Sequence, residues 1–459
     1  MVVDSRSPGM QRAGDFFIDE AKIITSQGIE LNILNQILHL VIHENIQRTA
    51  VTGDILLSDT IDIATFGPIL GQEYLSLKIR TKGVEGEPAV IDFTKELFHI
   101  TSLGSRTPGG QPNIQILLLE FTTYEISKNE RTTLNRSFEG TCSEIVENIL
   151  KNDIKTKKNL FVEPSDGVKK YVFPDIKPFE AIARLKREAV ATEDSSPTYV
   201  FYEDLKGYHF KSLSTMYNQG IVQEYRPSVV GSKPRPEDAM ANMDSAFNVA
   251  LGRNGDTLQG QSLGQYASKL TVYDSYARRF KNYTYNYLDN FENEKHISDF
   301  PVISETPVEG KSRLSDFPAK SYFLPTANKI EDDGTDNGIT IRHLTKTGKY
   351  TYAALRSERW LQRRSSQLIQ LENAVTLNIE VYGNTVVRCG SIIKFDYPLH
   401  SFTDVEGNRD RIDKFYRGRF LVKSIRHDFE VDTNRHEMVL TLTKDALPTE
   451  LSALESAII

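Results

Sequence analysis

Two stretches far apart in this sequence carry one pattern, and that pattern restricts the fold more than any other feature. In the first, Gly71 and an apolar run at 74–77 precede Phe98-His99-Ile100-Thr101-Ser102-Leu103, followed by a polar loop and a second apolar run at 114–118. In the second, Gly390 and the run 392–395 precede Phe420-Leu421-Val422-Lys423-Ser424-Ile425, followed by another polar loop and the run 438–442. Each copy is a turn glycine, a strand, a long connection, an aromatic-led strand with Ser one before its aliphatic end, a hairpin loop and a last strand. Two similar antiparallel barrels in one polypeptide account for this. Any two β-meanders share such spacing, so coincidence stays open on the pattern alone. A trimer of a chain with two similar barrels would present six similar units in a ring. Such a ring can meet a three-fold object on one side and a six-fold object on the other.

At 459 residues the chain exceeds one ordinary core and calls for about two to four domains. Tyr (20) and Phe (23) far outnumber Trp (1) and Met (6), which leans the composition toward β-structure. The net charge of −7 argues against a dedicated nucleic-acid binder and suits a wall that a nucleic acid passes without sticking. Cys142 and Cys389 are too few for a disulfide framework, form no CxxC spacing, and fit synthesis in a reducing cytosol. The N-terminus has no apolar run after its charges, so no secretory signal is expected. The longest apolar stretch, 29–42, is interrupted by Asn32, Asn35, Gln36 and His39 and is too short and polar to span a bilayer.

Along the chain, alternating runs from Phe16 to Tyr124 read as a first tube-like barrel over 14–135, with a polar Gly/Pro loop at 104–112 and an ambiguous stretch at 30–44. Residues 136–218 read as an α+β unit. Thr141 followed by Glu144 forms a capping box for a helix over 137–152, Pro178 starts a second helix, and 199–211 is a hairpin. Residues 219–265 read as an extended arm with one short helix near 237–251. Residues 266–373 carry strands, a long loop at 305–337 and a helix over 352–371, inserted around a second barrel at 374–447 that draws strands from 266–290. The expected class is multidomain, mainly β with α+β: two similar antiparallel tube-type barrels, a small α+β domain and inserts.

The chemistry of catalysis is sparse. No P-loop, no GxGxxG after a strand and no HExxH occurs. His427 and His436 flank a hairpin with His400 upstream, but residues nine apart on strands fall on opposite faces unless the loop intervenes, and no further ligand completes a metal site. Paired acids at Glu193-Asp194, Glu203-Asp204 and Glu331-Asp332-Asp333 sit in turn contexts, where solvation and local hydrogen bonds explain them as well as a glycosidase pair does. Arg278-Arg279-Phe280-Lys281 followed by Tyr283, Tyr285 and Tyr287 is the best nucleic-acid candidate, and it equally fits a strand packing tyrosines on one face. Arg356, Arg359, Arg363 and Arg364 suit either the solvated face of a helix or an acidic partner surface. No cofactor is expected.

Three stretches resemble the central hub proteins of contractile-tail baseplates, a superfamily that includes the N-terminal part of type VI secretion spike proteins. They are Asn384 to Phe395 around Gly390; Gly418 to Phe429, with Phe420, Val422, Ile425 and His427 in an aromatic-x-Val-x-x-Ile-x-His run; and Tyr171 to Phe179 followed by 199–211. Cys389 stands where the family often has Pro. The resemblance implies a non-enzymatic homotrimer in the virion tail baseplate, assembled in the host cytoplasm. Its implied partners are a central spike, the tail tube, wedge and tape-measure proteins, with DNA only in transit and no membrane span. The resemblance implies the fold motif Gly390, Phe420, Val422, Ile425 and His427, to which the internal repeat adds Gly71 and Phe98. A cell-wall or saccharide-acting tail enzyme and a nucleic-acid-binding tail component are the rival readings.

Overall fold

The computed structural model describes residues 12–60, 63, 69–81, 90–109, 114–228, 242–252, 255–274, 278–304, 311–326, 340–341, 352–353, 357–373, 375–398 and 412–451. His400, Glu331-Asp332-Asp333 and Arg356 lie outside the described residues, as do 229–241, 253–254, 305–310 and 327–337 of the two polar stretches.

The first copy of the pattern is built from Phe16–Ile24, Ile37–Asn45, Thr52–Asp59, Tyr74–Thr81, Val90–Pro108 and Gln115–Thr123. Numbered in chain order, these pair in the spatial order first, fourth, fifth, sixth, third, second. The second copy is built from Ile221–Pro227, Ser245–Leu251, Val375–Tyr382, Ile392–Pro398, Ile412–Glu430 and Arg435–Lys444, and it pairs in the same order. The likeness extends to irregularities. The fifth strand of each copy runs for 19 residues and bulges at the same point of its motif, between Ile100 and Ser102 and between Val422 and Ser424. The second strands bulge between Ile37 and His39 and between Ala246 and Asn248. A bulge places one extra residue and turns the strand, so matched bulges mean matched curvature. Coincident meanders do not predict a shared six-strand order with shared bulges.

The copies differ in closure. In the second, Ile221–Pro227 pairs with Ser245–Leu251, and six strands close into a barrel. That closing strand runs parallel to Ile392–Pro398, whereas Phe16–Ile24 runs antiparallel to Tyr74–Thr81. In the first copy no described pairing joins Phe16–Ile24 to Ile37–Asn45. Its open edge is covered from outside. Ile412–Glu430 uses its first half against Ile392–Pro398, then passes the same edge to Ile37–Asn45 over Ser424 to Glu430. A row of unpaired amides is thereby satisfied, and both copies become one 13-stranded sheet.

Several expectations are corrected. Residues 245–251 form a barrel strand instead of a helix, and the helix falls at Thr257–Leu263. The strands expected from 266–290 do not enter the barrel; Ala267–Asp274 and Arg279–Asn286 join Lys320–Thr326 in a separate three-stranded sheet. The segment 104–108 continues a strand, and 352–353 is extended, with the helix running Ser357–Asn373. The stretch 30–44 is β with one 3-10 turn.

The α+β unit follows its local signals. Thr141 Oγ1 accepts from Glu144 N while Glu144 reaches back to Thr141 N, so both free amides at the helix start are capped. Pro178 occupies the first turn of Pro178–Glu188. Every residue of the hairpin strand Tyr199–Asp204 is buried, because its two faces meet different cores. Phe201 and Tyr199 pack in the unit's own core, Val200 and Tyr202 in the second barrel, and the turn residue Leu205 in the first.

Candidate assembly site at the junction of the barrels

The turn glycines of the two copies share a backbone requirement. Gly71 has φ +82° and Gly390 φ +80°, a region that side chains strain to reach. A Cβ on Gly71 would lie 2.9 Å from Thr101 O, and one on Gly390 would lie 2.3 Å from the Tyr202 hydroxyl. Gly390 N–H donates to Val422 O at 2.7 Å, which ties the turn to the fifth strand. Phe98, Phe420, Val422 and Ile425 are all buried, the first in the core of copy one and the others in that of copy two.

His427 is buried at the seam and differs from its expected role. The turn after Glu430 folds the hairpin back, pairing Phe429 with His436, so the two histidines meet where opposite faces were expected. His427 Nε2 lies 3.1 Å from Glu44 Oε1 and its Nδ1 lies 3.2 Å from His436 Nε2. A neutral imidazole satisfies this line by donating from Nε2 to the carboxylate and accepting from His436 at Nδ1. Burial pushes His436 well below the ordinary imidazole range, which keeps it neutral. Glu44 comes from copy one, both histidines from copy two, and Glu44 Oε2 also accepts from Cys389 N at 3.4 Å. Thr81 and Thr385 add a buried hydroxyl pair at 3.1 Å across the same seam. Such a chain of buried polar groups penalises any other register between the copies. Among the described residues no group of three or more His, Cys, Asp or Glu side chains is placed to hold a metal ion.

A second buried polar site fixes the α+β unit to copy one. Lys158 Nζ sits 2.7 Å from Glu125 and 2.6 Å from Glu203, all three nearly solvent-free. Glu203 also accepts from Thr123 Oγ1 at 2.7 Å and Val51 N at 3.1 Å, both in copy one. Burial works against the ammonium, yet the two carboxylates outweigh it and raise Lys158 above its ordinary value. Glu203 was expected in a solvated turn and is fully buried; only its neighbour Asp204 makes turn bonds, to Lys206 N and Gly207 N.

The two basic-aromatic candidates converge on one carboxylate that the sequence did not single out. Tyr285 is buried and donates to Glu294 at 3.3 Å, and Arg363 pairs with the same side chain at 2.8 Å. Gln367 adds a bond at 2.8 Å. Arg364, expected on a solvated face, is buried and donates to Tyr199 O. Arg359 contacts Asp166 at 3.2 Å. The helix Ser357–Asn373 therefore spends its cations on the chain's own carboxylates and carbonyls, welding the tyrosine sheet to the α+β unit. Arg278 is exposed with φ +50° in a turn, and Tyr283 is half-buried; Arg279 is described by its backbone alone. Tyr287 is buried against Phe291.

Lys444, at the end of the last barrel strand, is fully buried, and no carboxylate among the described residues forms an ion pair with its ammonium. It donates to Phe415 O and, at 3.1 Å, to Arg417 O, and lies 4.8 Å from the Phe420 ring centre. Burial lowers its pKa to about 7. The unfolded chain keeps its ordinary value near 10.5, so it holds more protons than the folded one between those values. Stability should therefore rise as pH climbs from about 7 toward 10, by up to about 1.4 kcal/mol per pH unit. Urea denaturation at pH 7 and 9.5 should show this rise in the native protein and a flattened one in Lys444→Met.

A cleft of about 540 Å³ lies between the segment 288–304 and Glu450–Leu451. Its carboxylates Asp289, Glu292, Asp299 and Glu450 are all exposed, unlike the buried, environment-shifted acid that glycoside hydrolysis requires.

Across 419 residues the sequence is 22% identical to the probable baseplate hub protein gp334 of Vibrio phage KVP40, spanning 90% of this chain and 91% of that one. This chain is a relative of phage baseplate hub proteins. The fold of this hub relative also matches solved tail proteins. That of Neisseria meningitidis MC58 superposes with a TM-score of 0.51 at 11% identity, over 95% of this chain and 99% of the other. The 43 kDa tail protein of prophage MuSo2 from Shewanella oneidensis gives 0.51 at 10% identity, over 93% and 98%. No protein-family profile matches the hub relative. No helix among its described residues is long and apolar enough to cross a membrane.

Proposed function

We propose that the chain is the structural hub of a contractile-tail baseplate and works as a homotrimer. The observation that carries this reading is the six-strand order used twice. Three chains then supply six equivalent units, the number needed to seat a six-fold tube ring on a three-fold spike. The relative named a baseplate hub supports placement in the virion tail; assembly in the host cytoplasm is part of the proposal. The spike below, the first tube ring above, and wedge and tape-measure proteins around it are the partners. DNA passes through the ring's channel without being held, as the net charge of −7 favours. No reaction belongs to this role: the buried acids Glu125 and Glu203 are held by Lys158, Glu44 by His427 and Glu294 by Arg363, and the cleft acids are exposed.

Light scattering across a dilution series tests the assembly. The expected mass is three times the 52.0 kDa of one chain, independent of concentration. A 52.0 kDa species at every concentration, also with the spike present, would overturn the hub reading.

A further inference from the structure

Within one chain, the fifth strand of copy two pairs with the second strand of copy one, Ser424 to Glu430 against Asn45 to His39. The reciprocal joint, fifth strand of copy one with second strand of copy two, is not made inside the chain. Both of its halves are present. Beyond Ile100, Val90–Pro108 pairs on one side with Gln115–Thr123, and no described strand covers its other side. Thr101, Ser105 and Thr107 are exposed there. Ser245–Leu251 pairs along its length with Val375–Tyr382, while on its outer edge Ile221–Pro227 reaches only Ser245 and Ala246. Gly252 N–H donates inward to Thr376 O, so by the alternation of a strand the amides of Val249 and Leu251 face outward. Leu251 is 47% exposed, a large apolar side chain on an open edge.

We infer that these two edges join between neighbouring copies of this chain, Val90–Pro108 of one to Ser245–Leu251 of the next, antiparallel. The inference rests on the trimeric hub reading and specifies its interface. The shared bulges fix the register. Matching Ile37 and His39 to Ala246 and Asn248 puts Val249, Ala250 and Leu251 where Leu40, Val41 and Ile42 stand. The fifth strands match at Ser102 and Ser424, and the further bulge before Ser105 in copy one brings Ser105 and Thr107 to the places of Arg426 and Asp428. Since Asp428 faces Val41 and Arg426 faces His43, Thr107 faces Ala250 of the neighbour and Ser105 faces Gly252. Pro108, with no N–H to offer, ends the joint. Three such joints between chains alternate with the three inside chains and close a ring in which both of these edges are paired, which is how a head-to-tail contact avoids growing into a filament.

Thr107 and Ala250 are both exposed, and they fall at a non-hydrogen-bonded position, where Cα atoms of opposed residues lie about 4.5 Å apart and within disulfide reach. The native cysteines are buried and will not compete. The full-length double variant Thr107→Cys/Ala250→Cys, oxidised mildly, should run as a covalent trimer that reductant returns to one chain, whereas each single variant stays uncrosslinked. A light-scattering trimer that yields no crosslink would overturn this interface and leave the hub reading standing. Covalent chains longer than three would overturn the closed ring, and a monomer at all concentrations would remove both readings together.

Discussion

Replacing Lys158 with alanine should lower unfolding stability by about 3–5 kcal/mol, among the largest losses any single substitution here can cause. The ammonium lies between Glu125 and Glu203 with almost no solvent, so its removal leaves two buried carboxylates facing one another. Neither can turn to water: Glu125 also accepts from Thr156 Oγ1 at 2.9 Å, and Glu203 from Thr123 and Val51. The pH response has a definite sign. Without Lys158 the folded-state carboxyls titrate above their unfolded values, so the folded state gains protons first as pH falls. The deficit should therefore shrink between pH 7 and pH 5. Replacing all three together, Lys158→Met with Glu125→Gln and Glu203→Gln, should cost less than Lys158→Ala alone, because no uncompensated charge remains. Urea titrations at both pH values read each of these. A loss below about 1 kcal/mol for Lys158→Ala would mean that the carboxylates find another cation or water.

Phe429→Ala should cost about 3–5 kcal/mol as well, for a different reason. Phe429 belongs to the long strand of copy two, yet its ring is fully buried in the core of copy one. It meets Phe16 edge-on at 5.2 Å and stacks on His436 at 4.0 Å. Truncation empties a cavity at the seam, so the two copies should begin to unfold apart and the denaturation curve should lose its single-step form. Phe420→Ala, in the core of copy two, should cost as much without separating the transitions. Equal, single-step curves for both variants would show that the seam does not depend on Phe429.

What could be read from the sequence were features whose causes are local or repeated. The Thr141–Glu144 box and Pro178 act within one helical turn, and the hairpin at 199–212 needs only its Gly207 turn and apolar flanks. The two Gly-strand-aromatic motifs were visible because each strand carries a buried face. Ser245–Leu251 was not visible, because only Ala246 in it is buried and its bulge breaks the alternation a strand would display. Ile221–Pro227 likewise buries Tyr225 alone. The polar sites were hidden by separation along the chain. Glu203 finds Val51 from 152 residues away, and His427 finds Glu44 from 383. Arg363 looked like a helix-surface residue, and the partner of Tyr285 could not be named, because Glu294, the carboxylate between them, has no neighbouring signal that marks it as buried.

The strand that covers the edge of copy one is made long after that edge. His39 meets Asp428 across 389 residues of sequence. At a synthesis rate of about 5–20 residues per second, the edge of Ile37–Asn45 waits for roughly 20–80 s before its own partner emerges. During that interval a nascent chain offers the apolar Leu40 and Ile42 and a row of unmet amides to any neighbour on the same message. Ribosome spacing and chaperone capture then govern the yield of folded hub as much as its final stability does. A chain truncated before residue 424 keeps that edge for its whole lifetime and should aggregate even though most of its strands are present.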